Sequence, residues 1–183
     1  WNYDNVSCIP MDETNHVTLV AGIIASEDTK IRGISPGARL VAMRVCNSAG
    51  TNCPSDDIVR ALQYCYNNRN IYNISVVSIS LGNSTEYTTN NCPSTAKTEV
   101  NDLYSVGIPT IISSGNDAFT NGISWPACIA NATSVGAVYD ENIGSQTWCL
   151  SQPCPPGPTC TDSTTSSSTI TCFTNKKVGV LGV

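Results

Sequence analysis

The sequence predicts an α/β fold in three layers, a parallel sheet with helices on both faces. Three observations predict it. Short apolar runs at residues 39–46 (R-L-V-A-M-R-V-C), 74–81 (I-S-V-V-S-I-S-L) and 108–113 (I-P-T-I-I-S) are each bounded by turn-forming residues. Two amphipathic helical segments lie between them, one from Ser55 and one from about Ser94. Strand and helix therefore alternate, and a β-α-β-α-β order closes into a parallel sheet with right-handed crossovers.

The elements follow in chain order. His16, the single histidine, opens N-H-V-T-L-V-A-G-I-I-A-S at residues 15–26. Val17, Leu19, Val20, Ala21, Ile23, Ile24 and Ala25 leave no polar side, which predicts a helix buried inside a larger body. An imidazole held rigidly at the mouth of such a helix suits a general base, because it titrates near neutral pH. Gly33, Pro36 and Gly37 mark a turn-rich link before the first strand at 39–46, and residues 47–54 read as a loop.

Ser55 reads as a helix N-cap, with Asp56 and Asp57 in the first turn, where the helix dipole favours negative charge. Ile58, Ala61, Leu62 and Cys65 recur at i, i+3, i+4, i+7, so one face meets a core. The polar run at 67–70 (N-N-R-N) is expected to stop this helix. The strand at 74–81 ends at Gly82, and 83–91 is polar loop. Ala96, Val100, Leu103 and Tyr104 outline the next helix, with Gly107 as its stop. The strand at 108–113 tolerates Pro109 near its start and runs into Ser114, Gly115, Asn116 and Asp117. A fourth strand is expected at 132–139 (A-T-S-V-G-A-V-Y). Residues 152–171, rich in Pro, Cys, Ser and Thr, read as a surface loop, and 177–183 as the start of a further strand.

Composition narrows the function classes. The 183 residues suit one domain with a sizeable core, and a net charge of −5 argues against nucleic acid or an anionic membrane as partner. No run is apolar enough to span a bilayer. The chain opens at Trp1 with no signal peptide, so we expect a fragment or processed piece. Ten cysteines with one histidine and no C-x-x-C spacing argue for disulfides, hence an oxidising compartment, rather than zinc. Cys46 with Cys53, and Cys154 with Cys160, are spaced to close short local loops, although spacing alone does not fix the pairing. Acceptor triplets for glycosylation at Asn5, Asn73, Asn83 and Asn131 read as chance matches in a chain rich in Asn, Ser and Thr.

Ligands of parallel sheets bind at the carboxyl ends of the strands. Ser80, Leu81 and Gly82 lie at one such end, and Ser113, Ser114, Gly115 and Asn116 at another, on one expected rim.

Five motifs in order carry a resemblance to the subtilisin-like serine proteases. H-V-T-L-V-A-G-I-I-A from His16 resembles the family's catalytic-histidine helix, and G-I-S-P-G-A-R-L-V-A-M-R-V from Gly33 its following link and strand. S-I-S-L-G from Ser78 resembles its substrate-binding strand end, and G-I-P-T-I-I-S-S-G-N from Gly107 the strand carrying its oxyanion asparagine. W-P-A-C-I-A-N-A-T-S-V-G-A-V from Trp125 is similar to the next strand.

The resemblance covers the chain from Asp12 to about Asp140 and implies a secreted serine endopeptidase acting on proteins or peptides. It implies His16 as general base and Asn116 as oxyanion-hole donor. It makes Ser80, Leu81 and Gly82 one wall of a cleft that pairs with substrate backbone, and Ser113, Ser114 and Gly115 the other. Calcium is common in the family, but no ligand set can be placed on this sequence.

The chain also departs from the family pattern. Val17 and Asn15 replace glycines, and Leu19 replaces the motif's second histidine. No G-T-S-M-A nucleophile motif is found. Asp4 and Asp12 have no strand context that would make either the catalytic aspartate, which in the family lies a few tens of residues before the histidine. We therefore expect a truncated chain, cut at both ends, without nucleophile or catalytic Asp. The alternative, favoured by Val17 and Leu19, is a secreted subtilase-fold module that binds protein or peptide without catalysis.

Overall fold

A computed structural model of the chain describes residues 12–88, 90–151, 153–154 and 156–176. The expected strand at 177–183, Cys8, Asp4 and the Asn5 acceptor triplet lie outside the described residues. The chain divides after Ser75 into two compact units.

In the N-terminal unit, helix α1 spans His16–Ala25. Asp12 caps it: one carboxylate oxygen accepts the Thr18 N–H at 2.7 Å, and the other accepts the Thr14 N–H and hydroxyl. The expected burial of α1 is not found. None of its residues is buried, and Leu19 and Ile23 are each 68 % exposed. A helix apolar on every side needs cover on every side. Here the backbone bonded to it is that of residues 33–35, whose N–H groups reach the Ser26, Ile23 and Ile24 carbonyls left open at the helix end.

Residues 39–46 also depart from expectation. They form no strand, and Leu40 is 50 % exposed. A strand exists only through a ladder partner, and the described residues of this unit contain no other strand. The Cys46–Cys53 disulfide closes the loop that follows, with the Asn47 carboxamide accepting the Thr51 and Asn52 N–H groups inside it.

Helix α2 spans Ser55–Tyr72 and buries Ile58, Ala61, Leu62 and Cys65, the predicted face. Pro54 occupies the cap position expected for Ser55. The helix also runs through 67–70, where a stop was expected. There the Asn68 amide donates to the Tyr64 carbonyl, and Arg69 donates to the Tyr66 carbonyl and lies over the Tyr66 ring. The polar side chains thus bond back along the helix instead of breaking it. It ends at Asn73, in the left-handed region at φ 52°.

The C-terminal unit holds a parallel sheet of β1 (Val77–Ile79), β2 (Thr110–Ser113) and β3 (Ala132–Val135), in that spatial order. All three strands lie inside predicted runs and are shorter than them, because only the residues that meet a partner form the ladder. Helix α3 (Lys97–Ser105) joins β1 to β2 and packs on β2. Val100 and Leu103 are fully buried, as is Ile112 on β2. Gly107 ends the helix turn as predicted, with φ 78°.

Beyond the sheet, β4 (Gln146–Cys149) and β5 (Thr159–Asp162) form an antiparallel hairpin, so the loop expected at 152–171 contains a strand. The Thr147 and Thr161 hydroxyls meet across it at 2.9 Å. Cys149–Cys154 staples its connection, and Cys160–Cys172 ties it to the segment beyond. Together these replace the Cys154–Cys160 pairing suggested by spacing. Cys92–Cys128 is the fourth bridge. Cys65 is the free cysteine among the described residues, and burial pushes its thiol pKa up.

Candidate active site

Parallel pairing brings two of the predicted segments to one edge. The register Ile79 to Ile112 sets Ser80 and Ser113 at the same level, each at the carboxyl end of its strand. Residues 123–125 link the two ends. Asn83 exchanges both its backbone N–H and its side-chain oxygen with Trp125, at 3.1 Å each. Ser124 donates its N–H to the Ser114 carbonyl at 3.0 Å. Gly82 lies so close that a Cβ there would come within 3.3 Å of Ser124 and of the Trp125 carbonyl.

The second segment turns sharply into a loop. Ser114 is buried, with its N–H bonded to the Val135 carbonyl at 2.8 Å, and its hydroxyl has no hydrogen-bond partner among the described residues. Gly115 adopts φ 103°, open to glycine and costly for other residues. Asn116 follows, exposed, and among the described residues its amide has no hydrogen-bond partner. A free carboxamide at the carboxyl end of a strand can donate to an anionic oxygen without itself titrating.

The residue that fixes this loop was not predicted. Asn175, 3 % exposed, accepts the Asp117 N–H at 2.9 Å and the Phe119 N–H at 3.0 Å through its side-chain oxygen. Its amide nitrogen donates to the Ser114 carbonyl, the Asp117 carboxylate and the Ser124 hydroxyl, at 3.0–3.1 Å. No local sequence signal marks it, since its partners lie on a distant loop.

His16 stands in the N-terminal unit as the exposed first residue of α1, its N–H 3.4 Å from the Thr14 hydroxyl. Seven of the eight candidate residues thus share one unit, with Ser80, Leu81 and Gly82 beside Ser113, Ser114, Gly115 and Asn116. Among the described residues no three His, Cys, Asp or Glu side chains are grouped to hold a metal ion.

The sequence model of the subtilase family matches residues 1–180. The chain belongs to the subtilase family. Subtilisin Savinase of Lederbergia lenta is 33 % identical over 133 residues, 72 % of this chain and 45 % of that protein. A cuticle-degrading serine protease of Arthrobotrys oligospora is 30 % identical over 142 residues, 78 % of this chain and 32 % of that protein. Among solved structures, Sphericase superposes with a TM-score of 0.54 at 28 % identity, covering 64 % of this chain and 37 % of its own. The subtilase chain described here thus spans less than half the length of these relatives.

Proposed function

We propose that this chain is part of a secreted serine-type endopeptidase that hydrolyses peptide bonds of proteins. The observation that carries the reading is the pair of strand ends on one edge of a subtilase sheet, with the Asn116 amide, unpartnered among the described residues, on the loop after β2. In this reading Asn116 donates to the carbonyl oxygen as it becomes an oxyanion, and His16 takes and returns the nucleophile's proton. Ser80, Leu81 and Gly82 receive the substrate backbone as an added strand. Ser113 and Gly115 form the facing wall. Ser114 supports that wall from within, because its N–H and carbonyl are already bonded to Val135, Ser124 and Asn175. The four disulfides among the described residues support secretion, since such bridges persist in oxidising compartments.

Steady-state peptide hydrolysis by the full-length protein carrying this chain tests the proposal. Asn116→Ala should lower kcat about 10²–10³-fold with little change in KM, because the amide gains its partner only as the oxyanion forms. His16→Ala should cost more. A raised KM with kcat intact would make Asn116 a substrate-positioning residue. If neither substitution changes the rate, the active site does not lie at His16 and Asn116, whereas an unaltered protein that hydrolyses no peptide would replace this reading with the non-catalytic binding module.

A further inference from the structure

We infer that Asn175 is a positioning residue that sets the aim of Asn116, an inference resting on the oxyanion role proposed above. Among the described residues the Asn116 side chain has no partner, so its direction is inherited from the backbone of residues 115–117. Asn175 holds that backbone on both sides. Before Asn116, its own N–H donates to the Gly115 carbonyl at 3.0 Å and its side chain to the Ser114 carbonyl. After Asn116, it accepts the N–H groups of Asp117 and Phe119.

The chemistry requires an amide in this orientation. Two N–H groups face the oxygen. A carbonyl, a carboxylate and a hydroxyl face the nitrogen. Reversing the amide would set donors against donors and acceptors against acceptors. A carboxylate at 175 would meet the Asp117 carboxylate, and an apolar residue would leave the loop donors unsatisfied within a buried site.

Asn175 is itself braced. Thr174 exchanges hydrogen bonds with Ala137 next to β3, Phe173 accepts the Ala118 N–H, and Cys172 is bridged to β5. The loop bearing Asn116 is therefore tied through Asn175 to the end of β3 and to the hairpin. A donor displaced by about 1 Å can cost on the order of 10²-fold in rate. Asn175 therefore belongs to the catalytic geometry without touching substrate.

A double-mutant cycle in the full-length protein tests this. Asn175→Ala should lower kcat roughly 10–100-fold with KM nearly unchanged, and should lower it no further in an Asn116→Ala background. An equal loss in both backgrounds, or no loss at all, overturns the inference. If Asn116→Ala alone leaves kcat intact, the oxyanion reading fails and takes this inference with it, an outcome distinct from additivity. Should Asn175→Ala not fold, hydrogen exchange on the unaltered protein still decides. The Asp117 and Phe119 amides should exchange as slowly as sheet amides such as Ile112, and exchange at exposed-loop rates overturns the pin.

Discussion

Replacing Gly115 with alanine should destabilise the C-terminal unit far more than replacing Gly107, although both glycines have positive φ. At Gly107, with φ 78°, an added Cβ meets nothing within 4 Å. The cost there is the backbone conformation alone, about 1 kcal/mol. At Gly115 the φ of 103° lies further from any L-residue minimum, at roughly 1–3 kcal/mol. The new methyl would also fall on the Asn175 amide nitrogen and the Ser124 hydroxyl. Neither can withdraw cheaply, because each is bonded to the other and to the Asp117 carboxylate. Overpacking adds about 1–3 kcal/mol, and the strained hydrogen bonds about 1 kcal/mol more. The sum is about 3–7 kcal/mol, against about 1 kcal/mol for Gly107→Ala. Guanidinium unfolding of both variants, read on the transition of this unit, measures the difference as a shift in midpoint at constant slope. Equal midpoints would refute the close packing of Asn175 and Ser124 on Gly115.

Two further outcomes follow from other contacts. Asp12 has its pKa lowered from 3.8 to about 2, chiefly because its charged form accepts the Thr18 N–H. A depressed carboxylate stabilises the fold above the unfolded pKa and loses that contribution as pH falls from about 4 towards 2. The start of α1 should therefore loosen across that window, and Asp12→Asn should abolish the pH dependence, followed at the Thr18 amide by NMR; a midpoint near 4 would remove the cap. Replacing Cys160 and Cys172 together with serine should cost about 3 kcal/mol, the loop entropy for a separation of 12 residues. Denaturant unfolding reads that loss, and an unchanged midpoint would mean that β4 and β5 hold the segment unaided.

Where a signal was local, the sequence carried it. The face of α2 came from four residues within two turns, and the end of α3 from one glycine placed where the chain needs positive φ. Where an element depends on a partner, the sequence was mute or misleading. Residues 39–46 have the apolar character of a strand but no ladder among the described residues of their unit, and α1 has the character of a core helix but no buried residue. The hairpin errs the other way. T-C-T-D on β5 offers no apolar alternation, and the strand is held by disulfides, a threonine pair and the bonds of Asp162 to Tyr139 and Cys172, while its partner β4 sets Trp148 edge-on against Phe173.

The candidate site divides along the same line. The rim was legible because strand ends and a glycine mark it locally, and Asn116 stands where they place it. Its aim was not legible, because by our inference that comes from Asn175, a side chain 58 positions beyond Asp117. The loop from Gly115 to Phe119 cannot meet its own needs. The N–H groups of Asp117 and Phe119 go to Asn175, and that of Ala118 to the Phe173 carbonyl. A loop whose internal hydrogen bonds are replaced by contacts to a distant strap takes the position the strap dictates. The direction of Asn116 is therefore a property of the packing between residues 114–119 and 173–176, and under the proposed function substitutions in either segment should act on the same step of the reaction.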